Sequence, residues 1–219
     1  MIPSSGKTKK QIPPPGTEEG KDYFILKMPA NVTYCNDIQE CNDICRRIIA
    51  MSKISDVVIG FDVEWKPVFK KDQYNKTACV QLCWSSEECV VVHLVGMSSF
   101  PSQLAVLLES QSILKVGVGV RGDMQRLVNE KRIRSIGAVV ELALMAGMKN
   151  AGLKQLLYHQ TKYVVQKNKK LTMSNWEHVP LSGDQIGYAT LDALSGWLIY
   201  QKLVLEKGKH LFDVWYCCR

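Results

Sequence analysis

The sequence predicts one mixed β-sheet flanked by helices, an α/β or α+β domain. Three observations carry that prediction. Apolar strand-like runs concentrate in residues 57–94, and helical 3-4 periodicity takes over afterwards. The connections between those runs are short, which favours an antiparallel meander. A long last helix opens on a capping box, Ser182 with Gln185 three positions on, and continues to about Leu205. The chain of 219 residues is long enough to bury a full core as one domain.

Residues 1–20 hold Pro13 to Pro15 among Ser, Gly and Glu with almost no apolar residues, and are expected to be a flexible, Pro-rich basic leader. Lys7 to Lys10 weakly match a nuclear-import signal. The domain proper is expected over 21–205, with 206–219 as a C-terminal tail. A short strand is predicted at Tyr23 to Leu26. Asn36 or Asp37 then caps a helix whose stripe is Ile38, Cys41, Ile44, Cys45, Ile48 and Ile49. Strands follow at 57–63, 78–84 and 89–94, with a polar loop at 66–76. Pro101 opens a helix that turns Leu104, Leu107 and Leu108 inward. A strand over 113–120 runs into Arg121-Gly122-Asp123 and a helix from Met124 to Glu130. A short strand and helix are read over 136–146, a helix at Leu153, Leu156 and Leu157, and a basic polar segment over 162–170. The glycines at 117, 119 and 122 stand out of frame for a dinucleotide-binding turn.

Hydrophobic residues make up 46% of the chain and charged residues 22%, as in an ordinary globular protein. No apolar run approaches the ~20 residues of a membrane span, and Met1 to Lys10 lack a signal-peptide core, so an intracellular protein is expected. Cys79, Cys83 and Cys89 lie inside strand-like runs, which fits reduced cysteines better than a disulfide framework. Cys41/Cys45 and Cys79/Cys83 lack further partners at zinc-ligand spacing. In a non-secreted chain the sequons at Asn31 and Asn75 are chance matches. The net charge of +7 favours a polyanionic partner. Its clusters, Lys7 to Lys10, Lys70-Lys71, Arg132 with Arg134 and Lys167 to Lys170, each read as a solvated surface before a phosphate-binding patch.

The chemistry is concentrated where Val57-Val58-Ile59-Gly60 runs into Phe61-Asp62-Val63-Glu64-Trp65. Side chains alternate along a strand, so Asp62 and Glu64 share one face while Phe61, Val63 and Trp65 take the other. Paired carboxylates at the end of an apolar strand repel and lose hydration unless a cation or proton offsets them. Two readings stand on these residues alone: a strand end in water, or a metal site. Farther on, Asp123 sits at a helix start, and Tyr188 and Asp192 lie one turn apart on the last helix. The opposite face of that helix, with Ile186, Ala189, Leu194 and Leu198, is expected to supply its packing.

With those residues the chain resembles the DEDD superfamily of 3'-to-5' exonucleases, and within it the Werner syndrome exonuclease family, which also includes relatives of ribonuclease D. The resemblance covers residues 56–203 and takes in Ala78 to Cys83, Lys115 to Gly119, and Ser174-Asn175-Trp176. It implies a ribonuclease H-like mixed sheet with helices on both faces. Two Mg²⁺ or Mn²⁺ ions are implied, held by Asp62, Glu64, Asp123 and Asp192, with Tyr188 orienting the attacking water. Gly187 stands where the histidine subclass has its histidine, which leaves the tyrosine subclass. The implied function is hydrolysis of DNA from the 3' end to nucleoside 5'-monophosphates by a two-metal mechanism. A ribonuclease D-like action on RNA and a catalytically silent nucleic-acid-binding module are the alternatives. A nuclear place, DNA repair, a helicase or repair partner and the stand-alone form of the family follow as expectations. Two positions depart from the pattern, with Thr172 in place of a substrate-gripping Arg and Met124-Gln125-Arg126 where a Trp is common.

Overall fold

The computed structural model describes residues 23–70, 73–166 and 169–207. The leader, Lys71, Lys167 and the tail beyond Lys207 lie outside the described residues. Among those described, a six-stranded sheet has the order β2-β5-β4-β3-β6-β7. Its centre is the meander of β3 (Val57–Trp65), β4 (Thr77–Cys83) and β5 (Glu88–His93), antiparallel throughout as expected. Three parallel strands complete it: β2 (Asn31–Cys35) on β5, β6 (Ile113–Gly117) on β3, and β7 (Val139–Glu141) on β6. A separate two-residue pairing joins β1 (Phe24–Ile25) to β8 (Tyr163–Val164).

The pleat divides the core. Val57, Ile59, Phe61 and Val63 pack on α1 (Ile38–Met51), α2 (Ser102–Glu109) and α3 (Val120–Asn129). Val58, Leu114 and Val116 face the other way, onto α5 (Leu153–Thr161) and the 25-residue α7 (Gly183–Lys207), with α4 (Leu142–Met145) joining the same cluster. A short α6 (Lys169–Thr172) begins at the end of the segment read as basic and polar. Helix starts follow local chemistry: the Asp37 carboxylate accepts from the Glu40 amide, and Ser182 and Gln185 exchange bonds as a capping box.

Several elements differ from the sequence reading. Strand β6 stops at Gly117 rather than 120, because Gly119 at φ +80° turns the chain and α3 begins at Val120. Strand β2, absent from the reading, pairs over its full length with β5. Lys115 is fully buried, and its ammonium donates to the carbonyls of Ser110 and Ile113 at 2.8 Å and of Leu107 at 3.4 Å, closing the end of α2.

Gly60 and Gly196 set the distance between α7 and the sheet, and Gly117 that between β6 and β3. A Cβ on Gly60 would stand 2.0 Å from the Ala193 carbonyl oxygen and 2.8 Å from the Trp197 nitrogen. One on Gly196 would meet the Val116 oxygen at 3.1 Å, and one on Gly117 the Phe61 oxygen at 2.7 Å. Backbone approach at that range needs glycine, and it brings the helix down beside the end of β3.

Candidate active site

Strand β3 pairs with β6 only from Val57 to Gly60 and with β4 as far as Trp65, so its last residues outrun β6. Asp62 and Glu64 stand on this overhang, on the face that α7 covers. The gap beside them is filled by the turn from β6 into α3, which carries Asp123 in its first turn. One ligand atom from each of Asp62, Glu64 and Asp192 lies within 4.8 Å of the other two. Asp123 stands outside that triangle, yet close enough for its charge to act on Asp62.

The electrostatics are those of acids forced together. Burial pushes the Asp62 carboxyl well above the ordinary carboxylate range, and the charges of Asp192, Asp123 and Glu64 push it further. One bond opposes this, from the Val63 amide to Asp62 Oδ1 at 2.9 Å. Asp123 is raised to about 7, chiefly by burial, then by Glu141, against the lowering effect of Arg126. Opposite Asp62 on β4, Gln81 is fully buried with the Cys79 thiol as its neighbour, and neither amide atom finds a hydrogen-bond partner among the described residues. Carboxylates that repel one another beside such an amide fit a hydrated divalent cation. Their oxygens are the hard ligands that Mg²⁺ and Mn²⁺ take.

Tyr188 lies one turn before Asp192, but it is not on a face separate from the packing. Its ring is buried with Ala78, Cys79 and Ala189 and tilts against Trp176 at 5.9 Å, while its hydroxyl meets Thr172 Oγ1 at 3.2 Å. Thr172, read as a departure, is therefore a neighbour of the phenol. The segment holding Trp176 is pinned by groups that sequence reasoning missed. Nε2 of buried His93 meets the Trp176 carbonyl at 3.1 Å and must donate, which leaves Nδ1 to accept from the Tyr34 hydroxyl at 2.7 Å. The Tyr34 oxygen in turn accepts from the Leu181 amide at 3.3 Å. Burial lowers the His93 pKa and keeps the ring neutral, as this chain of bonds requires. Gln185 Nε2 adds bonds to Ser174 Oγ and the Asn175 carbonyl.

The other departure is also accounted for. Met124 is in the core, and Gln125 bonds Asn129. The Arg126 guanidinium lies 3.9 Å over Trp65 and 4.6 Å over Tyr74, and pairs with buried Glu130 at 3.2 Å. Glu130 also accepts from Thr77 and the Tyr74 hydroxyl, so α3 is clamped to the strand end that carries Glu64. Glu141, not foreseen, closes the other end of this clamp: both carboxylate oxygens lie 2.9 Å from the Gly119 amide that precedes α3. Its position at the end of a three-residue strand gave no distinguishing pattern.

A family model described as 3'-5' exonuclease matches residues 32–207. The bifunctional 3'-5' exonuclease/ATP-dependent helicase of Mus musculus is 36% identical over 184 residues, 82% of this chain and 13% of that protein. A 3'-5' exonuclease of Arabidopsis thaliana is 36% identical over 197 residues, 84% of this chain and 67% of its own length. Among solved structures, the Aedes aegypti Nibbler exonuclease domain superposes with a TM-score of 0.69 at 18% identity, over 90% of this chain and 99% of that one. Escherichia coli RNase D, described as an exoribonuclease, gives 0.68 at 19%, over 86% of this chain and 49% of that one. The last two share the fold, a ribonuclease H-like mixed sheet flanked by helices.

Proposed function

The chain belongs to the 3'-5' exonuclease family, and from that premise we propose that it hydrolyses DNA from the 3' end, releasing nucleoside 5'-monophosphates. The observation that carries the reading is the triangle of half-buried Asp62 and Glu64 with buried Asp192, in which Asp62 is repelled by its neighbours. Residues 21–205 are the exonuclease domain in this reading.

Asp62, Glu64, Asp123 and Asp192 would hold two Mg²⁺ or Mn²⁺ ions, which supply Lewis-acid stabilisation of charge on the phosphate oxygens and on the leaving 3' oxygen. The residues themselves do the rest. The four carboxylates would place the ions and, through them, the scissile phosphate. The Tyr188 hydroxyl orients the attacking water by hydrogen bond, with Thr172 restricting its rotation. A phenol with an ordinary pKa near ~10 is a poor base at neutral pH, so positioning is its role. Trp176 and the His93–Tyr34 chain keep the phenol in place.

DNA is proposed as the substrate from the likeness to the Werner-type branch at 36% identity. RNA is the second reading, since the fold also serves an exoribonuclease. A nuclear location and a part in DNA repair belong to the same proposal, as does a helicase partner, which the mouse relative carries in its own chain. Digestion of matched 3'- and 5'-labelled DNA and RNA, with Mg²⁺, Mn²⁺ or chelator, tests the activity and the substrate together. Mononucleotide release from the 3' label of DNA first is expected. Faster loss from RNA would shift the assignment to the second reading, and loss from 5' ends alone would contradict both.

A further inference from the structure

Gln81 stands beside the acids, and the chemistry above gives it no task. Strand β4 is buried along its whole length, and besides its cysteines it holds two polar side chains. Thr77 is bonded to Glu130. Gln81 is fully buried, and neither its Oε1 nor its Nε2 has a hydrogen-bond partner among the described residues. A buried amide in that state is a net cost, and an apolar side chain of the same length would fill the place without it.

The register identifies the group that the amide can serve. Residues opposite each other in an antiparallel pair share a face, with Cβ atoms about 4.5–5.5 Å apart. Gln81 stands opposite Asp62 on one side and Val91 on the other, and Cys79 and Cys83 flank it on the same face of β4. The diagonal positions are Gly60 and Glu64 on β3, and Cys89 and His93 on β5. Both ring nitrogens of His93 are taken, by the Tyr34 hydroxyl and the Trp176 carbonyl. Above lies the turn of α7 that carries Asp192, and it turns alanines to the sheet. Ala189 packs in one cluster with Cys79 and Val91, and Ala193 in another with Cys83 and Cys89. The strong acceptors around the amide are therefore the carboxylates of the site, with Asp62 directly across. Gln81 lies in their field: the adjoining Cys79 thiol is pushed up by burial and by the charges of Glu64 and Asp62, against the lowering effect of Gln81 itself.

We propose that Gln81 is a positioning residue of the metal site, whose amide N–H donates to the Asp62 carboxylate and holds that group turned toward the ion. The Val63 amide already anchors Asp62 Oδ1 at 2.9 Å, and a second donor from across the ladder fixes the plane of the carboxylate. This rests on the reading of the acids as metal ligands and adds the residue that orients one of them.

The test compares the wild type with Gln81→Met, which keeps the length of the side chain and loses the amide. Mn²⁺ binding is followed by electron paramagnetic resonance without substrate, and thermal unfolding is followed with and without Mg²⁺. Gln81→Met is expected to bind Mn²⁺ about 10- to 100-fold more weakly, to gain less Tm from Mg²⁺, and to keep or exceed the wild-type Tm without metal. A residue that served packing alone would do the reverse, losing metal-free Tm while keeping its Mn²⁺ affinity. The metal concentration for half-maximal hydrolysis should rise by the same factor, with KM for the strand unchanged. In the wild type, the side-chain amide signals of Gln81 in nuclear magnetic resonance should shift on addition of Mg²⁺, a readout that does not depend on how the variant folds. Wild-type Mn²⁺ affinity in Gln81→Met, or Gln81 signals indifferent to Mg²⁺, would overturn the proposal. No Mn²⁺ binding by the wild type would overturn the metal reading and the proposal with it. Mn²⁺ binding without any hydrolysis would count against the exonuclease reading alone, and the ratio of affinities would still decide the role of Gln81.

Discussion

Each of the acids at the end of β3 is costly where it stands, and that cost is the reason to expect a cation among them. Because Asp123 keeps its proton up to about 7 in the fold and loses it near 3.8 when unfolded, the native state binds more protons between those values. Stability of the metal-free protein should therefore fall as pH rises from about 4 to about 7, and Asp62 adds in the same direction. Divalent metal should reverse this, raising Tm more above pH 7 than below 5. Calorimetry with and without Mg²⁺ checks it, and a metal effect independent of pH would count against the carboxylates as ligands. At Tyr188, replacement by Phe keeps the ring on Trp176 and removes the hydroxyl alone. The chemical step should slow by about 10²-fold, since misplaced water costs that much, with binding retained. A parent-like pH profile in single turnovers identifies positioning, whereas loss of one limb identifies proton transfer.

The elements that matter most are β3 and α7, and their closeness depends on glycine. Gly60→Ala would place a methyl against the Ala193 carbonyl at 2.0 Å, so α7 must move away and carry Asp192 from Asp62. A loss of ~1–3 kcal/mol or more is expected, as for overpacking, with a fall in kcat larger than the stability change explains. Thermal unfolding and steady-state rates separate the two, and wild-type behaviour in both would contradict the close approach. How much of this was legible follows from the same physics. The alternation in Phe61 to Trp65 is local and its faces could be read from it, whereas the face of α7 with Tyr188 reads as apart from the packing because its partner Trp176 lies in another segment. The approach of α7 to β3 is not local, and Gly60 carried no sign of it. Strand β2 escaped because Asn31-Val32-Thr33-Tyr34-Cys35 is only partly buried and forms by pairing with a distant strand. The start of α3 escaped because Gly119 offers no side-chain cap. His93 and Glu141 act through partners more than 20 positions away, and Lys115 reads as an ordinary strand residue until its three carbonyl acceptors are seen.

For the whole molecule, the fold brings Asp62, Glu64 and Asp192 together at one end of the central strand β3. No helix among the described residues is long and apolar enough to cross a membrane, and the net charge of +7 suits a phosphate-rich partner. The central claim is that the carboxylates at the end of β3 hold the metal on which cleavage depends. Its most direct test is Mn²⁺ titration of the wild type and Asp62→Asn, followed by electron paramagnetic resonance, with release from a 3'-labelled strand measured on the same samples. The wild type should bind Mn²⁺ and release mononucleotides, while Asp62→Asn stays folded, gains metal-free stability through lost repulsion, and fails in both. Hydrolysis by Asp62→Asn at the wild-type rate, with the same metal dependence, would contradict the account.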